Sequence, residues 1–199
     1  MNDKNMLYSN HYTGWSREAI LKEVQTKITP ARYEHILRVE SCAIALAEKY
    51  GADKEACSLA AILHDYAKDV DKDTIKRLVD NGDLQAELLE YGSQIWHGPA
   101  GSYYAEKTFG IVDAAILSAI SQHTIGGREM TLLSKILFIA DYVEEGRTFP
   151  GVEEARELAF EDLNQAVIYK ITQTLIHLVQ KRVKIYPETL FVYNAWINK

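Results

Sequence analysis

The sequence has little to offer a disulfide framework, a membrane or a polyanionic surface. It holds two cysteines, Cys42 and Cys57, in 199 residues. Both lie in helix-forming stretches among small apolar neighbours. They are therefore expected as buried thiols of a cytoplasmic protein and not as a disulfide. No apolar run approaches the ~20 residues that span a bilayer. The first residues, Met1-Asn2-Asp3-Lys4-Asn5, are polar and lack the apolar segment of a signal peptide. A formal net charge of -6 argues against a nucleic-acid partner. Phosphate binding then needs a local cluster of Lys, Arg or metal. There is no alternating strand pattern, no repeat and no low-complexity stretch.

What is present is helix. Hydrophobic residues make up 47% of the chain, enough for one sizeable core. A variable leader is expected over residues 1–15 and a single helical domain over 16–199. Ser16, Thr29, Asp53, Asp113, Thr131 and Asp162 stand where N-caps are needed, because their side-chain oxygens can accept orphan backbone N–H groups. Pro30 suits a first helical position, and Gly51 and Gly110 suit helix ends. Residues 92–98 are expected as a loop, with Pro99 opening the next helix. Tyr186-Pro187 breaks the long last helix. The fold class is all-α, a compact bundle of eight to ten helices.

Three histidines end apolar stripes. His35 shares a face with Val39, Cys42 and Leu46. His64 follows Cys57, Ala60 and Ala61, and His123 follows Ile116 and Ile120. Asp65 adjoins His64, Asp141 sits on the stripe of Leu133 and Leu137, and His97 is a loop histidine. A single such histidine reads as a satisfied core residue. Several together, each costly to bury without a partner, point to a shared ligand. Imidazole with carboxylate suits a divalent metal such as Fe, Mn, Zn or Co. Lys68 lies three residues past Asp65 and can offer phosphate a compact charge. Arg32 precedes His35 by nearly one turn, and Arg147 follows the Asp141 helix. Thr124 can donate a hydroxyl, and Arg128 sits in a glycine-rich loop. His11 and His177 read as structural or solvated.

The order His35 … His64-Asp65 … Asp141 resembles the HD-domain superfamily of metal-dependent phosphohydrolases. His97 and His123, between the doublet and the last Asp, match the subgroup that holds two metals. More closely, several strings resemble the YqeK family of symmetrical dinucleoside tetraphosphatases. These are Arg32-Tyr33-Glu34-His35, Leu63-His64-Asp65-Tyr66-Ala67-Lys68, Trp96-His97-Gly98-Pro99, His123-Thr124 and Ala140-Asp141-Tyr142-Val143-Glu144. The resemblance covers residues 16–194.

It implies hydrolysis of diadenosine tetraphosphate into two ADP, with iron as the metal, one ion or two, manganese or another divalent ion being the alternative. His35, His64, Asp65 and Asp141 are the implied ligands, and Asp65, His64 and Lys68 the implied catalytic residues. A bound metal lowers the pKa of its water, and the hydroxide attacks one phosphorus in line. His97 and His123 either complete a second metal or bond the phosphates directly; the residues leave both open. Arg32, Tyr66, Ala67, Lys68, Thr124, Arg147 and the segment Lys184-Ile185-Tyr186-Pro187-Glu188-Thr189 are implied to face the substrate. A homodimer is the family expectation. The competing readings are a mononucleotide nucleotidase, a diiron oxygenase and a non-catalytic nucleotide sensor.

Overall fold

Seven of the ten α-helices start on a side-chain cap. In the computed structural model, which describes residues 6–198, Ser16, Thr29, Asp53, Asp71, Asp113, Thr131 and Asp162 each accept a backbone N–H from the first turn they precede. The helices are α1 (Arg17–Gln25), α2 (Pro30–Tyr50), α3 (Lys54–Leu63), α4 (Lys72–Asp80) and α5 (Ser93–Phe109). They continue with α6 (Ala114–Gln122), α7 (Leu132–Val143), α8 (Val152–Glu161), α9 (Leu163–Lys181) and α10 (Pro187–Trp196). One 3-10 stretch, Ala86–Glu90, stands before α5. No strand occurs among the described residues, and none of the helices there is long and apolar enough to cross a membrane.

The main core is built from the inner faces of α1, α2, α3, α6, α7, α8 and α9, with Ala105 and Phe109 of α5 and Val192 and Trp196 of α10. A second, smaller cluster joins Ala67, Ile75, Leu78 and Leu88 to Trp96 and Ala100 of α5. Cys42 and Cys57 are free thiols, and burial pushes each up to about 12, so both stay protonated.

One expectation changes. The segment 92–98 is not a loop: α5 begins at Ser93 and runs through Pro99. A proline inside a helix forfeits a hydrogen bond, yet packing of α5 against α6 and the end of α3 carries the helix through it. That packing depends on two glycines. A Cβ on Gly98 would stand 2.7 Å from the Ser121 carbonyl, and one on Gly101 would stand 3.2 Å from the His64 carbonyl. The leader, expected as variable, makes contacts with the bundle where it is described. Thr13 donates to the Phe109 carbonyl at 2.6 Å, and Tyr8 shares a hydrogen bond with Ser58 at 2.8 Å. Residues 1–5 lie outside the described residues.

Candidate metal centre

Helix ends bring the histidines together. His64 and His123 occupy the C-caps of α3 and α6, where the last carbonyls lack intrahelical donors. Each ring turns back on its own helix: His64 Nδ1 meets the Ala61 carbonyl at 2.7 Å, and His123 Nδ1 meets the Ile120 carbonyl at 2.7 Å. His97, inside α5, directs Nδ1 at the Ser93 carbonyl one turn earlier. His35, on α2, directs Nδ1 at Glu144 Oε1, 3.1 Å away. All four Nδ1 atoms face acceptors, so each carries the hydrogen and each Nε2 keeps its lone pair.

Those four lone pairs converge on two carboxylates. Asp65 Oδ2 lies 3.4 Å from His64 Nε2 and 3.8 Å from His35 Nε2. Its other oxygen, Oδ1, lies 3.2 Å from His97 Nε2 and 3.7 Å from His123 Nε2. Asp141 Oδ1 stands 3.2 Å from His35 Nε2 and 3.9 Å from His64 Nε2. Asp65 thus turns one oxygen to each pair of imidazoles. His35, His64 and Asp141 form one set of metal-competent ligand atoms, and His64, Asp65 and His123 another.

The donors fit a cation on two grounds. His64 Nε2 is completely buried and makes no hydrogen bond. His97 Nε2 and His123 Nε2, two lone-pair atoms, face each other at 2.8 Å. Two nitrogens held at about 2.0–2.1 Å by one ion, at right angles, stand ~3 Å apart.

The electrostatics agree. For Asp65, burial works against the charged form, but His64, His123 and His97 outweigh it and hold the carboxyl well below its usual range. For Asp141, burial is likewise outweighed by His35, Lys170, His64 and Arg147. Burial disfavours charge on His64, yet Asp65 and Asp141 push its pKa up; the same negative field favours a metal at Nε2. Burial, with help from its imidazole neighbours, lowers His123 to about 4, which leaves it neutral and ready to ligate.

Cations ring the mouth. Arg32 donates to Asp65 Oδ2 at 2.8 Å, and Arg147 donates to Asp141 Oδ1 at 2.7 Å. Lys68 Nζ lies 3.3 Å from His97 Nε2, and burial lowers its pKa. Thr124 Oγ1 is 3.4 Å from both His97 Nε2 and His123 Nε2. These four residues, with Asp65, Asp141 and Lys170, line a cleft of about 380 Å³.

Other expected substrate residues fall elsewhere. Tyr66 is buried, donates its hydroxyl to Glu23 and packs edge-on against Tyr104 and Phe109. Ala67 is fully buried in the smaller core cluster. The turn after α3 points their side chains away from the His and Asp cluster, because only Asp65 and Lys68, three apart, share its inner side. In the segment 184–189, Lys184 pairs with Glu90 at 2.9 Å, Glu188 pairs with Arg128 at 2.6 Å, and Thr189 is buried. Tyr186 and Glu188 line a neighbouring cavity of about 610 Å³, which meets the cleft at Thr124. Ile185 and Pro187 line neither space. Arg128 is spent on Glu188 and on the face of Phe191. His11 stacks edge-on against Tyr12, away from the cleft.

Two residues escaped the sequence reading. Lys170 is buried, donates to the Phe138 carbonyl at 2.6 Å and lies 3.7 Å from Asp141 Oδ2. Burial lowers it to about 8. Its signal was a lysine three residues past Val167 on the inner face of α9, of the same kind as Asp141 on α7. Glu144 is also buried, and besides His35 it accepts from Arg38 at 2.6 Å. It stands one turn past Asp141 and fixes the His35 ring from behind.

An all-helical bundle that presents His35, His64-Asp65 and Asp141 to one point has the architecture of the HD domain, and the HD domain family matches residues 32–146. The symmetrical bis(5'-nucleosyl)-tetraphosphatase of Bacillus subtilis (strain 168) is 42% identical over 182 residues, spanning 92% of this chain and 97% of that protein. The protein of the same name from Halalkalibacterium halodurans is 44% identical, over 90% of this chain and 96% of its own. The chain belongs to this family of HD-domain proteins, the symmetrical bis(5'-nucleosyl)-tetraphosphatases. A crystal structure from Clostridium acetobutylicum, described as a predicted HD superfamily hydrolase involved in NAD metabolism, superposes with a TM-score of 0.87 at 36% identity. That match covers 92% of this chain and 98% of the other.

Proposed function

We propose that this protein is a metal-dependent hydrolase that splits diadenosine tetraphosphate symmetrically into two ADP. The observation that carries the reading is the convergence of four Nε2 lone pairs on Asp65 and Asp141. The relatives' names supply the substrate.

His35, His64, Asp65 and Asp141 are assigned to a first ion. His97, His123 and the second oxygen of Asp65 are assigned to another. Iron is the proposed metal because the family resemblance implies it; the nitrogen and oxygen donor set accepts it, as it does manganese, zinc or cobalt. When bound, such an ion polarises a phosphoryl oxygen and lowers the pKa of a coordinated water. The chain does the rest. Glu144 and the helix carbonyls fix the imidazole tautomers. Lys68, Arg32 and Arg147 supply positive charge where the tetraphosphate carries its negative charge. Lys170 holds Asp141 from the buried side. Thr124 offers a hydroxyl at the boundary with the larger cavity, where Tyr186 can meet a nucleoside. Four cations around the cleft favour a polyphosphate over dioxygen. A cytoplasmic setting suits the reduced, buried thiols, and a homodimer follows the family expectation.

The test is turnover of diadenosine tetraphosphate by protein whose metals have been measured, with products identified. Two ADP per substrate is the expected result. AMP with ATP, or no turnover by iron- or manganese-loaded protein, overturns the reading.

A further inference from the structure

A symmetrical dinucleotide has two nucleosides, one on each side of the bond that breaks. The cleft at the metal centre opens in two directions. Past Thr124 it meets the cavity of about 610 Å³ that Tyr186 lines. Past Tyr142 and Phe149, which line both spaces, it meets a second cavity of about 420 Å³ between the loop after α7 and the outer part of α9.

We infer that this second cavity is the subsite for the other nucleoside of the substrate. The inference rests on the proposed activity, since only a dinucleotide needs both sides. Tyr142 follows Asp141 directly, so the wall of the subsite begins one residue from a proposed metal ligand. Its ring and that of Phe149 lie 4.5 Å apart at 35°, a tilted pair that offers an aromatic wall to a base. The opposite wall comes from α9. Gln173, His177 and Gln180 recur there at helical spacing and line the cavity together with Thr174 and Ile176. Amide and imidazole groups can bond a base edge or a ribose hydroxyl, while Ile176, 45% exposed, gives the base an apolar contact. Few polar groups set against aromatic and apolar walls, in a space of this size, suit a small-molecule subsite. His177, expected from the sequence as structural or solvated, gains a role in this arrangement.

The experiment compares two substrates on the metal-loaded protein. Diadenosine tetraphosphate carries two nucleosides. Adenosine 5'-tetraphosphate carries one and has the same central phosphoanhydride, whose hydrolysis yields ADP and pyrophosphate. Thr174→Trp fills the cavity, and His177→Ala removes a polar group from its exposed face. Each is expected to lower the ratio of kcat/KM, dinucleotide over mononucleotide, about tenfold, which is the worth of one base stack. The loss falls on KM for the dinucleotide. If Thr174→Trp does not fold, His177→Ala decides alone. A ratio unchanged in the folded variants overturns the subsite and leaves the activity standing. Wild-type protein that hydrolyses neither substrate overturns the activity, and the subsite falls with it.

Discussion

Two buried polar clusters are anchored on α2, one at Glu40 and one at His35, and they differ in how completely they are satisfied. Near α1, Arg17 gives Nε and Nη2 to the two oxygens of Glu40, at 2.7 and 2.6 Å. Ser58 also donates to Glu40, and Tyr8 closes the network on Ser58. Donors there meet acceptors. In the His and Asp cluster, ring nitrogens face one another and the two carboxylates, and His64 Nε2 makes no hydrogen bond. Both places bury charged side chains. Saturation separates them: a network closed on itself holds helices together, whereas acceptors aimed at one point await a cation.

The strongest test of that contrast is Asp65→Ala. Metal content should fall to background and turnover by at least ~10⁴-fold, since several kcal/mol of charge stabilisation go with the ion. Elemental analysis and product assay on one preparation read both, and full activity in metal-free Asp65→Ala protein would erase the distinction. In the closed network, Glu40→Ala leaves Arg17 buried without its carboxylate and should cost about 3–5 kcal/mol in a denaturant titration. Turnover per folded molecule should stay as it was.

Lys68→Ala should weaken turnover by about 10²-fold, on the scale of one lost electrostatic contact, with metal retained. Loss of metal in that variant would place Lys68 among the ion's supports instead. Gly98→Ala should destabilise by about 1–3 kcal/mol, because its Cβ meets the Ser121 carbonyl. The same shift moves His97 from His123, so any ion held by that pair should bind more weakly, read by elemental analysis against wild type.

The smallest effect is a pH slope. His123 is lowered to about 4 in the folded state, against ~6.5 unfolded. Between those values the unfolded chain binds a proton that the folded one refuses. Metal-free protein therefore loses stability as pH falls from ~6.5 to ~4. His64, raised in the fold, contributes in the other direction: its stabilisation is present below ~6.5 and is lost as pH rises above that. Thermal melts of metal-free His123→Gln should show a flatter acid side than wild type.

Much of this was legible in the chain itself. Caps and glycine stops marked the helices because they answer a local need, the orphan N–H and C=O groups of a helix end. His35, His64, His123 and Asp141 betrayed themselves as polar groups on apolar stripes, a signal that a few turns of sequence contain. Pro99 misled, because a proline's local preference for a helix start lost to the packing of α5 on α6. Tyr66 and Ala67 misled too: nearness to Asp65 in sequence does not tell which way a turn will point them.

The sequence by itself determined the helices and the fold class and pointed to His35, His64, Asp65 and Asp141 as a candidate set, since each is written in local periodicity or in the strings around it. Tertiary structure alone decided that Asp65 faces one pair of imidazoles with each oxygen. It also placed Lys170 and Glu144 behind the ligands and opened cavities on both sides of the cleft. Those facts depend on how residues far apart in the chain approach one another, at distances fixed by helix packing such as the close contacts of Gly98 and Gly101.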